Sequence, residues 1–457
     1  MRRLVPCRRL DIKPCKIHHF GQRDTRFVLR QSDRDIGVEL RAMDLTGERI
    51  RPSAVSPWCR LGLLLGASLT IFLLLVYFAL IPLTGWGVYR LTAALGFRSG
   101  ATLNVRALVV FSAVILGGCL MILSLLKPLV ARPARATEPH TLDPEEEPLV
   151  YAFVGELASK VGAPEPSHIA IDCNVNCCCV FAGGITGFFR PEFDLLVGLP
   201  LVAGLRLDQM AGVLAHELGH VALTTNIRSN RLLWTVNAWF SRVVFEPDEL
   251  DQQVLRRLET AKRGQRLVFH LAQVLAQPAR GILWLLMLAA GAASCLVLRQ
   301  MELEADLYQI RMAGTEAFLS TVLEINLLAM ATQRALVELS RMKREKRVVD
   351  NYPGFVVSLR SRYSAGFVGR LLAGLEQGKS RMFSAHPADR DRMALARKEL
   401  SHGIVTSALP ASALFRKHDA FCRTATLEFY KQGLGLSQES CELDTCQNVL
   451  RRMETAP

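Results

Sequence analysis

Between Arg60 and Arg90 the chain runs for 29 residues without a charged side chain, and between Arg106 and Lys127 for another 20. Both stretches are dense in Leu, Ile, Val and Phe. About 20 apolar residues in a helix cross the hydrocarbon of a bilayer, and a charge at the centre costs roughly 2.5–3.5 kcal/mol. Buried helices of soluble proteins rarely avoid polar breaks for so long. The two runs are therefore predicted to be transmembrane helices. Half of the 457 residues are hydrophobic and 21% are charged, which excludes a disordered or collagenous chain.

The chain carries 55 Lys+Arg against 42 Asp+Glu, a net charge of +13. Residues 1–60 hold 14 basic and 7 acidic side chains, so +7 of that excess precedes the first run. This stretch has no apolar core of the signal-peptide kind. Its only aromatics are Phe20, Phe27 and Trp58, too few for a nucleic-acid module, and no nucleic-acid partner is expected. The loop between the two runs has Arg90, Arg98 and Arg106, whereas Lys127, Arg132 and Arg135 follow the second. By the positive-inside rule the N-terminus and everything after residue 127 face the cytoplasm. Residues 1–60 then read as a basic, disordered leader that orients the protein; a start at Met43 would shorten it. The twelve cysteines contain no C-x-x-C pair, which argues against a cysteine zinc cluster and for a reducing compartment.

The expected organisation is a transmembrane hairpin over 61–127, a Pro-rich linker over 128–148, a catalytic domain over 149–402 and a helical tail over 403–457. The linker has five prolines and the acidic run Asp143 to Glu147. Within the domain, 168–182 and 193–198 are β-like, 207–225 and 301–340 read as helices, and an apolar helical insertion lies near 231–298. The fold class is α+β, mainly α. The basic run Arg341 to Arg347 reads either as a solvated helix face or as a contact for anionic lipid headgroups.

Residues 207–225 contain His216-Glu217-Leu218-Gly219-His220. Two histidines at i and i+4 share one helical face and can share a Zn²⁺, with Glu217 beside them to take a proton from a water on the metal. A catalytic zinc needs a third ligand and an open fourth position. Met301-Glu-Leu-Glu-Ala-Asp306 offers Glu302, with Asp306 at i+4 on the same face to accept a hydrogen bond from a ligating imidazole. Glu304 points about 200° away around the helix.

These motifs, after two N-terminal spans, resemble the integral-membrane gluzincin metallopeptidases, HtpX-like and CAAX prenyl endopeptidase-like. The resemblance covers about residues 145–400. It implies a metalloprotease domain with a small substrate-binding sheet, one Zn²⁺ per chain, and a role in protein quality control at the bacterial inner membrane, with polypeptide substrates and lipid as partners. Val175-Asn-Cys-Cys-Cys179 is similar to the family's edge strand, which holds substrate main chain by strand addition, and Asn176 is the residue carried over. The three cysteines stand where the family has small residues, and both small-residue substitution and a structural metal role remain open for them. Ser384-Ala-His-Pro387 with Arg392 is similar to a further family segment. It implies that His386 donates to the developing oxyanion and that Arg392 orients the site and its substrate. An inactive membrane scaffold of the same fold and a specific prenyl-peptide protease are the alternative functions.

Residues 281–298 form an 18-residue uncharged run that ends just before Arg299. A single crossing there would put His216 and Glu302 on opposite sides of the membrane. The number of crossings between them must be zero or two. Partners for a second crossing are 267–279, which is short and polar, and 232–241, which reads as an interfacial amphipathic helix. With two crossings, Glu302 would lie close to the membrane surface on the cytoplasmic side.

Overall fold

The structure, a computed structural model, describes residues 49–50, 57–98, 105–130, 140–181, 192–226, 263–378, 386–433 and 441–455, with single positions at 236, 239–241, 243–245 and 257. Most of the basic leader, including Met43, lies outside the described residues, as do 131–139 of the linker and Ser384. In chain order the elements are α1 (Pro57–Arg98), α2 (Val105–Val130), β1 (His140–Thr141), α3 (Pro148–Val161), β2 (His168–Asp172), β3 (Cys177–Phe181), β4 (Phe193–Gly198), α4 (Leu199–Gly204), α5 (Leu207–Asn226) and α6 (Arg263–Ala313). There follow α7 (Thr315–Arg344), β5 (Arg347–Val349), α8 (Tyr352–Ser361), α9 (Ala365–Gln377), α10 (Asp389–Glu399), a short 3-10 turn (Ala411–Leu414), α11 (His418–Gly433), β6 (Glu442–Asp444) and α12 (Cys446–Thr455).

The chain divides into two compact units, one built on 56–136 and 229–297, the other on 137–228 and 298–457. In the first, two stretches are long and apolar enough to cross a membrane, Leu64–Leu95 in α1 and Leu108–Leu129 in α2. They match the two charge-free runs. The helices approach closely: a Cβ built on Gly118 would stand 2.2 Å from Val88. Tyr77 is fully buried, donates its hydroxyl to the Leu125 carbonyl, and meets the edge of Trp239 with ring centroids 5.4 Å apart. Leu73, Val236, Phe240, Ala279, Leu283 and Ala290 complete that apolar cluster. Of the stretch 232–241, expected as an interfacial amphipathic helix, Val236, Trp239 and Phe240 are buried in this cluster.

The second unit is built on a four-stranded sheet in the order β1-β2-β4-β3. The parallel β2–β4 pair is flanked by antiparallel β1 and β3, leaving β3 at an edge. Side chains alternate across a strand. Ile169, Ile171, Cys177, Cys179, Leu195 and Val197 accordingly join the main core with helices α3 and α5, while Ala170, Cys178, Val180 and Leu196 cluster on the other face. The predicted β-like stretch 168–182 is two strands joined by an Asp172–Asn174 turn, in which Asp172 accepts the Asn174 N–H at 3.0 Å.

Three local features differ from the sequence reading. The stretch 301–340 is two helices, α6 and α7, broken at Gly314. That residue sits at φ +91, and a Cβ there would meet the His402 carbonyl at 2.7 Å. The acidic end of the linker belongs to the fold: Glu147 is fully buried and its two carboxylate oxygens accept the main-chain N–H groups of Arg416 and Lys417 at 2.7 and 3.1 Å. The C-terminal stretch is more than a helical tail, because β6 pairs with β5 and Val405, Leu414, Phe421, Cys422, Tyr430 and Val449 lie in the main core.

Helix α10 is capped by Leu400, which adopts the left-handed conformation at φ 49 and is 74% exposed. A non-glycine residue there carries a backbone penalty of about 1 kcal/mol that no burial offsets. Leu400→Gly is expected to stabilise the detergent-solubilised protein by about 0.5 kcal/mol after the entropy cost of glycine in the unfolded chain. Thermal unfolding of the two proteins side by side checks this; an unchanged or lower melting temperature contradicts it.

Candidate active site

Helix α5 starts beside Arg206, whose N–H donates to the Gln209 side chain at 2.9 Å, half of a capping box. Leu207, Met210, Ala211, Leu214, Ala215, Leu218 and Ala222 anchor its buried face in the core. That fixes the rotation of the helix and turns Gly212, His216, Gly219 and His220 to one side, as positions spaced by four and seven must be. Helix α6 lies against this side. A Cβ on Gly212 would stand 2.9 Å from the Ala313 side chain, and one on Gly219 would stand 2.9 Å from the Tyr308 ring. The two glycines leave the groove that lets α6 come near enough for Glu302 to reach the histidines.

His216 Nε2 and His220 Nε2 are 3.2 Å apart. Glu302 faces both, with Oε2 at 3.7 Å from His216 Nε2 and Oε1 at 3.5 Å from His220 Nε2. One donor atom from each of the three residues lies within 4.8 Å of the others. The arrangement fits a zinc ion: two nitrogens held at about 2.0–2.1 Å by one tetrahedral ion stand about 3.3 Å apart. Two imidazoles and one carboxylate are also the donor set of a catalytic zinc site that keeps a position for water.

Chain comparison gives the site its context. Residues 144–400 match the peptidase family M48. The chain belongs to that family. Among curated relatives, Protease HtpX of Alcanivorax borkumensis is 24% identical over 308 residues, covering 67% of this chain and 89% of the relative. Protease HtpX of Pseudomonas fluorescens is 26% identical over 349 residues, covering 74% and 99%. A Protease HtpX homolog of Bordetella pertussis is 27% identical over 222 residues, 48% of this chain and 71% of the relative. No solved structure matches. With its two apolar spans, the chain is an HtpX-like membrane metalloprotease of family M48.

The M48 site is held from behind by a buried carboxylate. Asp306, with no exposed surface, accepts Arg392 in a bidentate pair at 2.8 and 2.6 Å. Its Oδ1 also lies 3.1 Å from His216 Nδ1, close but off the line of an aligned N–H···O bond. Burial would raise the Asp306 pKa, yet Arg392 and His216 hold it below its ordinary value. Burial likewise lowers His216, but Asp306 and Glu302 more than offset this and raise it. His220 is pulled down to about 4 by burial, which keeps the neutral imidazole that a metal requires. Burial pushes Glu217 up to about 7. Glu302 is held low despite its burial, by His220 and by His386.

His386 places Nδ1 3.0 Å from Glu302 Oε2, so it meets the carboxylate that faces both histidines. Arg392, expected to orient the site and its substrate, pairs with Asp306 behind His216. Asn176 stays at the end of β3, where its carbonyl accepts the Gly198 N–H at 2.7 Å and its amide lies 3.7 Å from Cys178 Sγ. Glu304 accepts from Gln300 at 3.1 Å, away from the three donors. Sequence reasoning missed the Asp306–Arg392 pairing and any link between Cys179 and Glu217. A buried carboxylate beside His216, 86 residues from the arginine that pairs with it, leaves no local signal.

Two outcomes are expected. Arg392→Ala leaves the Asp306 charge buried without its guanidinium and should destabilise the protein by about 3 kcal/mol, measured by chemical denaturation in detergent. Gly219→Val should weaken zinc binding at least about tenfold through the clash with Tyr308, and Tyr308→Ala should recover most of that loss. Titration of metal-free protein with zinc checks the second; full affinity in Gly219→Val contradicts it.

Proposed function

We propose that this protein is a zinc metalloendopeptidase of the bacterial inner membrane, with its catalytic unit on the cytoplasmic side, cleaving peptide bonds of membrane or misfolded proteins. The observation that carries the proposal is the convergence of His216, His220 and Glu302 at metal-ligand spacing, with Glu217 between the histidines in sequence. Zinc at these residues supplies a Lewis acid that makes water nucleophilic near neutral pH. Glu217 takes the proton of the attacking water and delivers it to the leaving amine, and a pKa near 7 suits both transfers. Asp306, kept ionised by Arg392, fixes the ring of His216. The edge of β3, beginning at Asn176, pairs with an extended peptide. His386 turns from Glu302 to donate to the developing oxyanion, a contribution of about 3–4 kcal/mol in comparable sites.

The cytoplasmic placement rests on the basic residues that flank the two spans. Residues 281–298 have the length and composition of a further crossing, and His216 and Glu302 can then share a metal only if a second crossing lies between them.

Purified protein is assayed on casein and on a detergent-solubilised membrane protein, with zinc measured by elemental analysis. Glu217→Gln should lower the rate by about 10²–10⁴-fold while keeping zinc. Glu302→Ala should lose the metal. Equal proteolysis by wild type and Glu217→Gln, or stoichiometric zinc in Glu302→Ala, refutes the assignment; background proteolysis in both Glu217 forms marks a scaffold without turnover.

A further inference from the structure

Cys179 lies in the middle of β3, opposite Leu195 of β4. The Gly198 N–H donates to the Asn176 carbonyl, and hydrogen-bonded positions alternate along an antiparallel pair. Asn176, Cys178 and Val180 therefore address β4, and the main-chain groups of Cys177, Cys179 and Phe181 turn away from it. Turned this way, the Cys179 N–H donates to the Glu217 carboxylate. The Cys179 side chain leaves the opposite way from Cys178, on the face that packs against α5, and its thiol reaches the Glu217 carbonyl oxygen at 3.6 Å. One residue of the edge strand thus touches the same glutamate twice, at its side chain and at its main chain. Its thiol is only 7% exposed and sits among apolar neighbours, where a small, weakly polar donor is tolerated.

We propose that Cys179 is a positioning residue, holding Glu217 in register with the strand on which a peptide is laid. The thiol bond fixes the first turn after His216, and the main-chain bond fixes the carboxylate at the strand edge. The kinetic consequence rests on Glu217 acting as the base; the contact itself does not.

The contact is tested first without activity, on full-length protein stripped of metal by chelator. Amide hydrogen exchange at Cys179 should quicken by about tenfold in Glu217→Ala, while exchange at Cys178, bonded towards β4, stays unchanged. No change at Cys179 overturns the proposal. Zinc-loaded Cys179→Ala should then lose about fivefold in kcat, with KM and zinc content kept, and Cys179→Ser should return to within about twofold of wild type because its hydroxyl donates to the same carbonyl. Wild-type kcat in Cys179→Ala, or equal losses in the alanine and serine variants, also overturns the proposal. If Glu217→Gln retains full proteolysis, the catalytic reading fails instead, and the exchange result still stands or falls by itself.

Discussion

The arrangement around His216 depends on one buried carboxylate. Asp306 has no exposed surface, and an ionised group so placed costs several kcal/mol unless its charge is answered. Arg392 answers it with two hydrogen bonds from α10, and His216 stands on its other side from α5. Asp306 itself belongs to α6, one turn after Glu302. Three helices distant in sequence are therefore tied at one atom group, and that tie sets where Glu302 can be. Removing the pair together would leave a packing problem, whereas removing one partner leaves an unpaired charge; the second is the costlier change.

The tie alone would not bring Glu302 within reach. Helices usually pack with axes 8–10 Å apart, set by the side chains between them. Gly212 and Gly219, seven residues apart on the histidine face, remove those side chains where Ala313, Gln309 and Tyr308 press in. The Gly in H-E-L-G-H thus sets how closely Glu302 approaches the two histidines, although it offers no donor atom. Burial then sorts the charges. His220 is driven towards the neutral form and Glu217 towards a pKa near neutrality, while Glu302 and Asp306 stay ionised because cations or imidazoles face them.

Much of this was legible from the chain itself, for reasons of periodicity. His216 with His220, and Glu302 with Asp306, are i,i+4 pairs, and helical geometry forces each pair onto one face. The two spans announce themselves by length without charge. What stayed hidden depends on partners far away in sequence. The break at Gly314 is set by the close His402 carbonyl, not by a helix-breaking run, so 301–340 reads as unbroken. Glu147 looks like part of an acidic spacer until Arg416 and Lys417 arrive with their N–H groups. Arg392 was visible through its likeness to a family segment, but its real neighbour, Asp306, was not. Cys179 gave no signal because a thiol on an edge strand matches small-residue packing equally well.

The short distances between His216, His220 and Glu302 also constrain topology. All three lie in the second compact unit, yet 229–297, which separates them in sequence, belongs to the first. A segment that leaves a domain on one side of a membrane and returns to it must cross an even number of times. Residues 281–298 have the length and composition of one crossing. An unpaired apolar helix of that kind would leave the parity odd. Val236, Trp239 and Phe240 sit in the same apolar cluster as Leu283 and Ala290, beside Tyr77 of α1 and Leu125 of α2. Their short run is followed by Arg242, so a hydropathy reading passes it over, and only the packing brings it beside the helix that carries Glu302.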